Sequence, residues 1–257
     1  MDGAPAYRIT LRFYEELNFF LRPEQRRRDI EHAFNGRRSV KDLVESFGVP
    51  HVEIDLILVN GESVDFSYIV RDGDRISVYP EFETLSIAGV QRLRPLPLRD
   101  TRFVLDVHLE KLARSLRLLG FDVDFIRGRD DGELARISER EKRILLSRDR
   151  QLMMRKIVSR GLYVHSTHPE EQVVEVLERL QLRDRCRPFT RCVECNGMIG
   201  KFDVDDPQSR EAAAGIPPGV RTWCREYYRC GGCGRVFWKG SHYEKLKTRV
   251  EKILSGR

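Results

Sequence analysis

Between residues 103 and 149, short apolar runs alternate with stretches of helical periodicity, and a carboxylate stands where elements end or begin. Phe103–Leu105 reads as a buried strand ending at Asp106. Leu109, Leu112, Ala113, Leu116 and Leu119 then recur at helical spacing. Gly120 is placed to end that helix. A second strand is expected over 121–126, a helix from Asp131 through Glu141, and a third strand over 143–147 that stops short of Asp149. A fourth strand follows over 161–164, and Pro169 opens a helix with Val173, Val174, Val176, Leu177 and Leu180 on its apolar face. Strands alternating with helices imply an α/β domain with a parallel sheet and right-handed crossovers.

In an open parallel sheet, ligands sit beyond the carboxyl ends of the strands, which is where Asp106 and Asp149 fall, and Asp131 starts a helix at the same rim. Like charges at short range destabilise one another unless a cation is present. Carboxylate oxygens suit Mg2+ or Mn2+, ions that commonly serve phosphate chemistry. Asp is also a favoured N-cap, so capping alone is an alternative for Asp131 and Asp149. It accounts less well for Asp106, because a carboxylate closing a buried strand is costly without a partner. Asp122 and Asp130 stand second in rank as helpers.

The segments FVLDVHLEKLARSLRLLGFD, DGEL and ILLSRD, followed by RCVECNG and YRCGGCGRVFWKGSH, resemble in order the PIN-like ribonuclease domain named after the C-terminal part of the Mut-seven exoribonuclease. The resemblance implies a metal site made by Asp106, Asp131 and Asp149. It also implies RNA as substrate, with hydrolysis to a 5′-phosphate and a 3′-hydroxyl. The chain departs from the pattern at His165, Ser166, Thr167 and His168, where many PIN nucleases carry a fourth acid, and at Ser115, where the family has an aromatic.

Upstream, residues 6–13 alternate as a strand, and an irregular basic stretch holds Arg26, Arg27 and Arg28. A helix is expected over 39–47 with Ser39 as N-cap, then strands over 52–60 and 76–79 separated by Asn60-Gly61 and Asp72-Gly73 turns. This α+β order, with SVKDLVESFGV, ILVNGESV and VRDGDRISVYP, resembles the ubiquitin-like and sulfur-carrier β-grasp families. Carriers end in a free Gly-Gly, whereas this chain runs on through Pro80-Glu81-Phe82. The module, residues 1–85, is therefore expected to dock a protein partner. Gly89, Pro95 and Pro97 mark a linker over 86–101, leaving a nuclease domain over 102–183 and a zinc ribbon over 184–257.

Cys192-x-x-Cys195 and Cys230-x-x-Cys233 are two close pairs of thiols, matching the tetrahedral preference of structural Zn2+. Cys186 and Cys224 fall outside the spacing and read as ordinary thiols. The polar, Pro/Gly-containing insertion DDPQSREAAAGIPPG is expected to be mobile. Residues 1–88 carry 11 basic against 16 acidic side chains, so with +6 for the whole chain the remainder stands at +11. Basic residues with Trp223, Tyr227, Tyr228, Phe237, Trp238 and Tyr243 interleaved suit single-stranded nucleic acid, although a small ribbon needs some aromatics for its own core.

Arg114, Arg117 and Arg148 are candidate phosphate ligands, Arg being able to bind bidentately, and His242 is a further candidate substrate contact. Pairing of the arginines with nearby carboxylates is the alternative. No apolar run reaches the eighteen or so residues that would span a bilayer, and the N-terminus lacks a leader pattern, so a cytoplasmic protein with no membrane partner is expected. The function read here is a metal-dependent ribonuclease. A non-catalytic RNA-binding adaptor and a DNA nuclease are the alternatives.

Overall fold

The computed structural model describes residues 7–80, 93 and 101–255. The expected linker over 86–101 lies outside the described residues apart from Leu93 and Thr101. Strand β1 (Tyr7–Phe13), β2 (Ile30–Phe34), helix α1 (Val40–Ser46), β3 (Leu56–Val59), β4 (Glu62–Val64) and β5 (Arg75–Tyr79) form the N-terminal domain. Its sheet is ordered β2-β1-β5-β3-β4, with β1 and β5 parallel and the other pairs antiparallel. That is a ubiquitin-like β-grasp. In β1 the alternation puts Ile9, Leu11 and Phe13 in the core, and α1 buries Val40, Leu43 and Val44. Ser39 caps α1 as expected, its Oγ accepting from the Asp42 amide at 3.1 Å.

Two departures from the sequence reading are local. The strand expected over 52–60 is confined to Leu56–Val59, because a 3-10 turn after Pro50 occupies His51–Glu53. The strand β2 lies in the stretch expected to be irregular: its two apolar ends, Ile30 and Phe34, are four residues apart and mimic helical spacing.

Along the chain there follow β6 (Arg102–Leu105), α2 (Glu110–Leu118), β7 (Asp122–Asp124), α3 (Asp131–Glu141), β8 (Ile144–Ser147), α4 (Arg150–Met153), β9 (Gly161–Tyr163) and α5 (Pro169–Arg179). The strands make a four-stranded sheet ordered β7-β6-β8-β9, with β6–β7 and β8–β9 both parallel. The expected α/β domain is thus present, α3 and α5 starting at the residues anticipated. The C-terminal part holds β10 (Ile199–Phe202), α6 (Arg210–Ala214), α7 (Pro218–Arg221), β11 (Tyr227–Cys230), β12 (Val236–Trp238) and α8 (Ser241–Ser255). Its three strands form an antiparallel ribbon. Among the described residues, no helix is long and apolar enough to cross a membrane.

The chain divides into two compact units, Met1–Asp100 with Asp131–Tyr163, and Thr101–Asp130 with Val164–Arg257. Within the first, the β-grasp packs against the segment from α4 to β9. Arg150 donates to the Phe20 carbonyl at 3.2 Å, and its guanidinium lies 5.1 Å over the Phe20 ring and 5.7 Å over Phe19. Phe20 meets Tyr163 edge-on at 5.2 Å. Glu53 accepts from the Tyr163 amide, and His51 bridges Glu45 at 2.7 Å and the Val158 carbonyl at 2.8 Å.

Within the second unit, Gly120 ends α2 at φ +95°, and a Cβ there would collide with the Arg187 carbonyl. That close approach lets the Arg187 and Phe189 amides donate to the carbonyls of Leu119 and Leu118. The 205–219 insertion, expected to be mobile, is instead folded. Ala212, Ala213 and Ile216 are buried, and Ile216 joins Cys224 and Tyr227 in a small core against Phe202, Val204 and Val236. The apolar residues inside the insertion outweigh its polar flanks.

Candidate functional site

The Sγ atoms of Cys192, Cys195, Cys230 and Cys233 all lie within 4.8 Å of one another. Cys192 and Cys233 are 3.8 Å apart and Cys195 and Cys230 3.3 Å. A tetrahedral Zn2+ with bonds of about 2.3 Å would hold its sulfurs about 3.8 Å apart, so the donor set and its size suit zinc. Burial pushes the Cys192 thiol up to about 12, with the thiol of Cys233 adding to the rise. A divalent cation reverses that preference by binding thiolate and releasing protons. Gly197 is required for space: a Cβ would come 2.8 Å from the Cys230 sulfur and 2.9 Å from the Gly232 amide.

The first knuckle is tied to the α/β part by two residues. Asn196 accepts from the Val123 amide at 3.0 Å and donates to Asp122 at 2.9 Å. Arg117, expected to present its guanidinium to phosphate, is 4% exposed. It donates to the carbonyls of Val123, Val193 and Glu194 at 2.7–3.2 Å. Burial lowers its pKa from the ordinary arginine value, against the pull of Asp124 and of the Cys195 and Cys192 sulfurs. Its assignment as a substrate ligand is corrected accordingly: with its donors spent on backbone, Arg117 holds the knuckle.

Beside the ribbon lies a cleft of about 940 Å³ lined by residues of α2, the 188–199 segment, Trp223, β11, β12 and the first half of α8. Of the expected aromatics it contains Trp223, Tyr228, Phe237, Trp238 and Tyr243. Tyr227 belongs to the ribbon core. Arg114 lines the cleft and is ion-paired to Glu194 and, at 3.8 Å, to Glu110. His242, exposed near the start of α8, also lines it. Arg191, Arg235, Lys239, Arg249 and Phe189 line it too and were not singled out from sequence. The adjacency of Lys239 to Trp238 was a usable signal, whereas nothing local marked Phe189.

Of the acidic residues, Asp106 lies in one unit and Asp131 and Asp149 in the other. Asp106 follows β6 directly and is 6% exposed. Asp131 is the first residue of α3, with Arg155 at 3.9 Å. Asp149 caps α4, its Oδ1 accepting from the amides of Gln151 at 2.7 Å and Leu152 at 3.1 Å, while its own amide donates to Ser147 Oγ at 2.9 Å. The cap does not involve Oδ2. Arg148 is half-buried between Ser147 and Asp149. At residues 165–168, Glu175 of α5 accepts from the His165 and Ser166 amides and from the His165 ring.

Compared with known proteins, residues 101–250 match the Mut7-C RNAse domain family and residues 6–86 the Mut7-C ubiquitin family. A human protein, "Exonuclease mut-7 homolog", is 26% identical over 232 aligned residues, covering 62% of this chain and 26% of that protein. The chain therefore spans about a quarter of that relative's length. No solved structure matches.

Proposed function

The chain belongs to the Mut7-C RNAse domain family, and from that premise we propose that it is a divalent-metal-dependent ribonuclease acting through Asp106, Asp131 and Asp149. The observation carrying this reading is positional. Asp106 and Asp149 come directly or within two residues after the parallel strands β6 and β8, and Asp131 opens α3. Strand ends of this kind are where α/β folds bind ligands. The donors are hard carboxylate oxygens, which fit Mg2+ or Mn2+. Such ions, when bound, activate water and offset charge on the attacked phosphate and the leaving oxygen.

The chain's own residues supply the rest. The Asp149 cap fixes one carboxylate oxygen and with it the orientation of the group. Arg114 and Arg148 are the arginines proposed to meet phosphate. The zinc ribbon, with Zn2+ held by Cys192, Cys195, Cys230 and Cys233, aids RNA binding through its cationic and aromatic surface. The ubiquitin-like domain docks a protein partner, on surfaces other than the one taken up by Arg150 and Tyr163.

The test is cleavage of end-labelled single-stranded RNA, with DNA of the same sequence in parallel, in Mn2+. The wild type should cut RNA, and Asp106→Asn should lose at least about a hundredfold in rate without loss of fold. Equal cutting by the variant removes the acidic assignment, and preference for DNA removes the RNA assignment.

A further inference from the structure

The cleft beside the ribbon combines two features, exposed aromatic faces and cations. The first is unusual aromatic presentation. Trp223 is 54% exposed, and its ring edge and the Trp238 indole both come within 3.4 Å of where a Cβ on Gly240 would stand. The missing side chain thus lets two indoles approach one point of the cleft. Phe189 and Tyr243 make a second pair, centroids 4.7 Å apart.

The second feature is charge. Among the described residues lining the cleft, Lys111, Arg114, Arg191, Arg235, Lys239 and Arg249 supply six cations against one carboxylate, Glu194, while Asp122 pairs with Arg191 at 3.4 Å and Glu226 with Lys239 at 2.9 Å from outside the lining. Glu194 is shared by Arg114 and by Arg235 at 3.5 Å, and Lys239 lies 5.9 Å over the Tyr228 ring. The ligand this calls for is a polyanion with flat apolar faces.

On these grounds we infer that the cleft is a stacking site for the unpaired bases of single-stranded RNA. Trp223 and Trp238 hold bases while Lys111, Arg191, Arg235 and Lys239 follow the phosphates. The inference rests on the nuclease reading for the identity of the polymer and gives that reading its capture site. A volume of about 940 Å³ is near the top of the range for sites that enclose small ligands, about 300–1,000 Å³, and leaves room for more than one base. An amphipathic peptide helix could use the apolar surface of the cleft, but it would leave the six lining cations without the regularly spaced anions that a phosphate backbone supplies. A duplex keeps its base faces inside its own stack, and so offers the indoles nothing to stack on.

The experiment measures binding, and its result does not depend on catalysis. The 257-residue chain carrying Asp106→Asn, with wild type in parallel and no divalent ion added, is titrated against a fluorescein-labelled ten-residue oligouridylate. A GC-rich RNA duplex that stays paired without divalent ions and an abasic strand of equal length serve as comparisons. The single strand should bind and quench tryptophan emission, with duplex and abasic strand at least about tenfold weaker. Trp223→Ala, at an exposed position where folding is not at stake, should weaken the oligouridylate about tenfold, or about 1.4 kcal/mol. It should leave the abasic strand unchanged. Arg235→Gln should weaken both strands by a similar factor and lower the salt slope by about one. Equal binding of abasic and intact strands, tighter binding of duplex, or no effect of Trp223→Ala would each overturn the inference. So would failure to bind any oligonucleotide. Absence of cleavage by wild type in Mn2+ would instead fall on the nuclease reading, and a base-dependent binding result would survive it.

Discussion

Asp149 is where capping and metal binding make different demands on one side chain, and a single substitution separates them. Asn and Asp are nearly equivalent N-caps, so Asp149→Asn should keep the Gln151 and Leu152 contacts and melt within about 0.5 kcal/mol of wild type. It should nevertheless lose at least about a hundredfold in Mn2+-dependent cleavage, because an amide is a poor ligand for a hard dication. Asp149→Ala should lose both, the cap costing about 1 kcal/mol. Rate assays beside thermal melts read the two effects apart, and an active Asp149→Asn protein would reduce Asp149 to a cap. Glu175 carries a pH prediction. Burial pushes its pKa up, but hydrogen bonds from the His165 ring and from the His165 and Ser166 amides outweigh that and leave it below the ordinary 4.5. A depressed carboxyl pKa contributes stability that is present in full above about pH 4.5 and fades as pH falls through the folded value. Glu175→Gln should therefore cost about 1–3 kcal/mol at neutral pH, and its melting curve should approach that of wild type as pH is lowered from 5 to 3. A gap that stays constant over that range would show that the charge plays no part.

At the scale of elements, what could be read beforehand was whatever a local signal wrote down. Helices α3 and α5 begin at Asp131 and Pro169 because acidic and proline starts are local chemistry. The Ser39 cap is legible for the same reason. The helix α8 is also written there, in Tyr243, Leu246, Val250 and Ile253 at spacings of three and four, although the aromatic and basic residues of the tail mask the period. Other facts were not local. Arg117 looks like any arginine on a charged helix face, and only the folded chain brings the carbonyls of Val193 and Glu194 to it. Likewise nothing in the sequence of the β-grasp told of its contact with α4 and β9. That contact makes Arg150 an anchor: Arg150→Ala gives up one hydrogen bond and stacking on Phe19 and Phe20, together about 2 kcal/mol. For a chain of this size that is roughly 4–8 °C in melting temperature. Lys in its place should recover part of the loss, having the charge but not the planar group. A melting temperature unchanged in Arg150→Ala would show that the β-grasp is held there by other means.

For the molecule as a whole, the zinc centre is tied into the structure at more than one point, and that sets what its loss should do. A ribbon that merely hung from the domain would unfold alone when its metal left. Here the knuckle supplies Arg117 with the Val193 and Glu194 carbonyls, and Asn196 closes the edge of β7 through Val123 and Asp122. If Cys192→Ser releases the metal, the buried Arg117 guanidinium loses acceptors for donors already removed from water, a cost of several kcal/mol if left uncompensated. The edge of β7 loses its amide partner at the same time. The expected outcome is loss of close to one equivalent of zinc with a lowered melting temperature, and with α2 and β7 amides exchanging faster by hydrogen–deuterium exchange, not the ribbon alone. Cys224→Ser, at a buried cysteine that is no ligand, should keep the zinc and serve as the control for removing a buried sulfur. RNA affinity should fall with the metal, since β11, β12 and the residues after Cys192 wall the cleft. Faster exchange confined to residues 191–238 would mean that Arg117 and Asn196 are followers of the ribbon. Retention of one zinc by Cys192→Ser would remove Cys192 from the metal site altogether.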